Sequence, residues 1–215
     1  TAGTNCDAET VFAFESVGAA VSLVHVEQLF RKERSLADYH ILAIPGGFTY
    51  GDDIISGRIL ANELRLRLGE DVAKFLADGK LVIGICNGFQ VLVRSGILTG
   101  PLDERESWRP DFEQYATLTY NDSGKFEDRW VHLKVSGKSV WTRDLDEVIY
   151  IPVAHGEGKF VPRDEAVLAR LKKNGQVVFR YCDEKGQSAG YPENPNGSVD
   201  DIAGICDRTG RVLGL

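Results

Sequence analysis

The sequence predicts an α/β fold: a flavodoxin-like open, mostly parallel sheet flanked by helices, with an antiparallel extension. Three observations lead there. In the first half, short β-type runs alternate with helical periodicity, the pattern of a sheet covered by helices. Residues 81–85 (LVIGI) are continuously apolar, as in a strand buried on both faces. Beyond Pro101 the runs shorten and alternate, which suits antiparallel pairing rather than further strand–helix–strand units. The 215 residues contain no internal repeat or low-complexity linker, so a single domain over 1–215 is expected.

Each element has its own signal. Residues 7–18 read as a helix capped by Asp7, with Val11, Phe14 and Ala19 near one face. Residues 21–26 (VSLVHV) read as a strand, and YHILAIPGG supplies a second one that Pro45 ends. Gly46 and Gly47 then permit a tight turn. Leu60, Leu64, Leu68, Val72, Phe75 and Leu76 recur at helical spacing over 59–76. A strand over 81–85 leads directly to a helix over 88–94. A charged loop (101–111) precedes the alternating runs YATLTY, WVHLKV and EVIYIPVAHGEG, and helical character returns at 164–173. The strands QVVFRY, DIAGIC and RVLGL close the chain, with the turn-rich loop GYPENPNGSVDD between the first two.

Composition narrows function. Asp and Glu outnumber Lys and Arg by 32 to 25, a net charge of -7, and no basic block occurs, which argues against nucleic acid or an anionic membrane as partner. No apolar run approaches the roughly 20 residues that span a bilayer, and the first residues lack the features of a signal peptide. The chain reads as soluble and cytoplasmic. Cys6, Cys86, Cys182 and Cys206 are far apart with no C-x-x-C pair, which suits free thiols in a reducing compartment.

The informative motif is Gly84-Ile85-Cys86-Asn87-Gly88, a G-x-C-x-G at a strand-to-helix junction. This is the shape of a nucleophile elbow, in which small neighbours relieve the crowding of a sharp turn and the central side chain stands above the sheet. At the amino end of the next helix, a Cys86 thiolate is expected to gain from unpaired N–H groups and the helix dipole, lowering its pKa. Oxyanion donors are expected from the N–H of Asn87 and from the Pro45-Gly46-Gly47 turn. A packing or turn role is the competing reading of each glycine.

IPGGFTYGDD, GICNGFQVL, IPVAHGEGKF and NPNGSVDDIAGICDRTGRVLGL, with GTNCDAET and GKFEDRWVHLKV, occur in one order along nearly the whole chain. Together they resemble the class I (triad) glutamine amidotransferases. Within that family they are most similar to the glutaminases serving the fourth step of purine biosynthesis. The resemblance implies a Cys86 thioester formed from glutamine, with ammonia passed to a synthetase subunit or domain. It assigns oxyanion donation to Gly47 and Asn87. Substrate binding falls to Gly46, Phe48, Gln90, His155, Gly156 and Glu157. No metal or cofactor is implied for this chain, and ATP and magnesium are expected on the synthetase partner.

The same family begins with an apolar strand and ends in P-H-P-E, the source of the triad histidine and glutamate. Here only Thr1 and Ala2 precede Gly3 and the sequence stops at Leu215, so both segments are expected outside it. Of the internal histidines, His25, His40 and His132 read as structural and His155 as part of the substrate loop rather than as the base. Cys6 reads as a turn residue whose neighbours Asn5 and Asp7 cap a helix, and Cys182 and Cys206 as packing. The pairs Asp52-Asp53 and Asp200-Asp201 read as solvated loop ends, and Asn196-Gly197-Ser198 as a glycosylation acceptor without meaning in the cytosol. Two competing functions remain open: a cysteine hydrolase of the intracellular-peptidase-like group, and a non-catalytic scaffold.

Overall fold

The structure, a computed structural model, describes residues 1–47, 56–101, 103, 105–111 and 113–215. Its main sheet has seven strands in the order β1-β2-β9-β8-β7-β4-β5, formed by β1 (Ile41–Ile44), β2 (Leu81–Gly84), β4 (Glu127–Val135), β5 (Val148–His155), β7 (Val177–Cys182), β8 (Ile202–Cys206) and β9 (Val212–Gly214). A separate antiparallel pair joins β3 (Ala116–Thr119) to β6 (Lys159–Pro162). The α/β class with an antiparallel extension is what is observed, but the extension is the larger part. Only β1–β2 and β2–β9 run parallel; the other four pairings of the main sheet are antiparallel.

Connection length explains the balance. β8 returns to β9 through residues 207–211, where the Asp207 carboxylate accepts the N–H groups of Arg211 and Val212, both at 3.0 Å. So short a link cannot make the crossover that a parallel pair requires. The sheet also curls: β5, at the far end of the strand order from β1, comes back over the carboxyl end of β2.

Helices α1 (Asp7–Ser16), α2 (Val26–Phe30), α3 (Ser56–Ala77), α4 (Asn87–Arg94) and α5 (Glu165–Lys173) complete the fold. Leu60, Leu64, Leu68, Val72 and Phe75 of α3 are buried, as their spacing requires, against a core that includes Phe89, Val91 and Leu92 of α4. Asp164 caps α5 by accepting the N–H of Val167 at 2.8 Å. Asp7, by contrast, is the first residue of α1 and not its cap, a position held by Cys6. Its carboxylate is turned back onto the hydroxyls of Thr1 and Thr4.

Residues 21–26 depart from expectation, forming an extended segment and the start of α2 rather than a sheet strand. Its ladder-type bonds go to Thr1, whose ammonium donates to the Val24 carbonyl at 2.6 Å while the Val26 N–H donates to the Thr1 carbonyl at 2.8 Å. A cavity of about 640 Å³ separates this segment from β1, lined by Val11, Phe14, Val24, Leu36 and Ala43 among others. No described helix is long and apolar enough to cross a membrane.

Candidate active site

Cys86 sits between β2 and α4 at φ 53° and ψ -108°. This is left-handed backbone that a residue with a Cβ adopts at a cost of about 1–3 kcal/mol, held only where the surroundings leave no alternative. The flanking glycines show what holds it. A Cβ on Gly84 would lie 2.5 Å from the Gly88 carbonyl oxygen and 2.6 Å from Leu92 Cδ1, and one on Gly88 would run into the Ile44 carbonyl of β1. The elbow is therefore pressed against both its own helix and the neighbouring strand. Leu215 fixes it from the third side: the Cys86 N–H donates to the Leu215 carbonyl at 2.8 Å, and the Leu215 N–H to Gly84 at 3.1 Å.

The sulfur is half-buried and faces the main-chain N–H groups of Gly47 and Asn87. Gly47 has φ 86°, and a Cβ there would collide with the Asn5 side chain and come within 3.0 Å of Cys6 Sγ. The Asn87 amide donates to the Gly47 carbonyl at 3.0 Å, tying the elbow to the turn after β1. Two N–H donors thus converge where negative charge would develop on the oxygen of a carbonyl carbon attacked by the sulfur. The expected lowering of the Cys86 pKa does not occur. Burial pushes the thiol up, and the pull of the Gly47 and Asn87 N–H groups, opposed also by Cys6, does not offset it.

Across from the elbow stands the end of β5. The Cys86 thiol points to the Ala154 carbonyl at 3.8 Å, which brings residues 155–158 to the site. The Gln90 amide donates to the Glu157 carbonyl at 3.1 Å, and Arg94 pairs with the Glu157 carboxylate at 3.9 Å. Burial raises the Glu157 pKa, with Arg94 opposing, and burial likewise lowers that of His155. The His155 ring packs over Gly158, where a Cβ would meet it at 2.5 Å, and both its nitrogens are buried without a hydrogen bond to any described residue.

Cys86, Gly46, Gly47, Asn87, Gln90, His155, Gly156 and Glu157 are accordingly brought together, from the ends of β1, β2 and β5. Phe48 lies outside the described residues, as do Asp52 and Asp53. The remaining histidines have other surroundings: His25 caps α2, and His132 stacks on Tyr150 with centroids 4.5 Å apart. Cys182 and Cys206 are buried. Asp200 is engaged by Lys172 and Arg180, both at 2.9 Å, rather than solvated. Asn196 is fully buried, which removes the glycosylation reading and gives it a role that its turn-like sequence concealed. Asn121 and Tyr181 have no signal in the sequence, and Ser198 only that of the same Asn196-Gly197-Ser198 triplet.

Comparison with known proteins agrees with this geometry. The family model of the CobB/CobQ-like glutamine amidotransferase domain matches residues 1–215. A curated relative from Dehalococcoides mccartyi, phosphoribosylformylglycinamidine synthase subunit PurQ, is 48% identical over 218 residues, covering 100% of this chain and 80% of its own. The protein of that name from Archaeoglobus fulgidus is 45% identical, covering 99% and 82%. Among solved structures, PurLQS from Thermotoga maritima matches with TM-score 0.73 and 33% identity, covering 100% of this chain and 82% of that one. A second Thermotoga maritima structure, described as a glutamine amidotransferase, matches in fold with TM-score 0.55 at 16% identity, over 96% and 67%.

Proposed function

The chain belongs to the CobB/CobQ-like glutamine amidotransferase family, and on that premise we propose that Cys86 is the nucleophile of a glutaminase. The enzyme is the glutaminase subunit of phosphoribosylformylglycinamidine synthase in purine biosynthesis, and it works with a synthetase subunit. Glutamine is its substrate. The cytoplasm is its compartment in this reading, and ATP with magnesium belongs to the synthetase.

The supporting observation is the elbow itself, a cysteine at positive φ whose sulfur faces the N–H groups of Gly47 and Asn87. The Cys86 sulfur attacks the side-chain amide carbon of glutamine, and the carbonyl oxygen takes up the electron pair between those two donors. Collapse expels the nitrogen, which leaves as ammonia after gaining a proton. Water then attacks the resulting thioester, releasing glutamate and returning the thiol. Because burial holds the thiol protonated, the first step requires a proton acceptor. Residues following Leu215 would emerge beside Cys86, since the Leu215 carbonyl accepts its N–H. A histidine carried there is the acceptor in this reading.

The full-length protein with its synthetase tests the proposal. Cys86→Ala should lose glutamine-dependent amidine formation by about 10³-fold or more while added ammonia still supports it. A glutamine-shaped chloroketone should alkylate Cys86 in the parent protein. Retained glutamine-dependent turnover in Cys86→Ala would end the assignment.

A further inference from the structure

The 155–158 turn is held in an unusual way. Its four consecutive carbonyls are all taken, and beyond His155, which closes the β4–β5 ladder opposite Glu127, none by a strand partner. Asn121 accounts for two: its side-chain amide donates to His155 at 2.8 Å and its backbone N–H to Gly156 at 3.0 Å. Gln90 takes Glu157 at 3.1 Å, and Asn196 takes Gly158 at 2.8 Å with Ser198 Oγ at 3.3 Å. The Asn121 carbonyl oxygen in turn accepts the Gly158 N–H at 3.1 Å, and its amide also reaches Lys125 at 2.9 Å. Asn121 is 3% exposed, and Asn196, which further bonds the buried Tyr181 hydroxyl at 3.0 Å, is fully buried.

With every carbonyl drawn outward to a partner, the N–H groups of Gly156 and Glu157 have no hydrogen-bond partner among the described residues. Two such donors one residue apart on a fixed turn suit a carboxylate. Glutamine carries one, on its amino acid end. We propose that Asn121 is a positioning residue that sets glutamine affinity: by grasping both ends of the turn it presents the Gly156 and Glu157 N–H groups to the substrate carboxylate. This rests on the glutaminase reading. Asn121 does not touch the reacting amide, so its effect falls on KM more than on kcat. Asp at this position keeps the acceptor for Gly158 but loses the donor to His155 and Lys125, so it does not substitute.

The test uses the full-length protein in complex with its synthetase. Asn121→Ala and Asn121→Asp should raise the glutamine KM at least about tenfold, with kcat within about threefold, the scale of losing charge-assisted bonds. Discrimination between glutamine and its α-carboxamide analogue should collapse. A purely structural role would not move that ratio, and iodoacetamide labelling of Cys86 should stay within about twofold. Asn121→Ser, which keeps a hydroxyl donor, covers the case in which the alanine variant fails to fold. An unchanged KM, or parallel losses in discrimination and iodoacetamide labelling, would overturn the proposal. If the parent complex released no ammonia from glutamine, the glutaminase reading would fall by itself. Amide exchange at Gly156 and Glu157 would then decide the clamp, faster exchange in the variants supporting it and unchanged exchange refuting it.

Discussion

Replacing Gly88 by alanine tests the elbow through packing alone. An added Cβ would lie 2.8 Å from the Ile44 carbonyl carbon, closer still to its oxygen, and 3.2 Å from Ile44 Cβ. Optimal carbon contacts are about 3.5–4.0 Å, so α4 must withdraw from β1 by roughly 1 Å. The obstacle is backbone in the middle of a paired sheet, which cannot swing aside. Against backbone, overpacking of this kind falls in the upper part of its range, about 2–3 kcal/mol, from which about 1 kcal/mol of better helix propensity is recovered. The net is about 1–2 kcal/mol, or roughly 2–8 °C in Tm at this chain length. Activity should suffer more than stability. Cys86 immediately precedes α4, and a misplacement of about 1 Å at a reacting group is enough for a loss near 10²-fold. Ammonia release and thermal unfolding, measured against Gly190→Ala, read both effects; a Cβ at Gly190 meets nothing within 4 Å. Glutaminase activity within twofold of the parent and an unchanged Tm in Gly88→Ala would refute the close approach.

Acid should act through His155, whose pKa burial holds below its ordinary value. The unfolded chain takes up this proton near 6.5 while the folded chain does not. The stability that His155 confers is therefore complete above about pH 7 and is lost as pH falls through the folded pKa. Tm measured from pH 8 to 5 should fall more steeply in the parent than in His155→Gln. Asp164→Ala, far from the site, should cost about 1 kcal/mol as a lost cap of α5 and leave glutamine turnover unchanged, which calorimetry and ammonia release would register.

The elbow was legible because its constraints are local. Gly84 and Gly88 lie two residues either side of Cys86, and the apolar strand before them and the helix after them are continuous with the motif. Residues 21–26 were misread because β-type composition reports a surface fit to be pleated, whereas a strand exists only where a neighbour supplies the ladder. The preponderance of antiparallel pairing was hidden for the same reason. Asn121 and Asn196 gave no useful signal: the runs Asn121-Asp122-Ser123-Gly124 and Asn196-Gly197 are both ordinary turn chemistry, and nothing local says that the side chain will be sealed inside and fully bonded. The direction of the Cys86 pKa was missed because dipole and N–H donors are visible in a motif, while burial by β5 and the turn after β1 is not.

The bond from Cys86 to the Leu215 carbonyl has a practical side. A reporter or other insertion spliced at Leu215 would break the contact that fixes the elbow from this side. The exposed turn at Glu184 and Lys185, between β7 and β8, is the safer place for a graft.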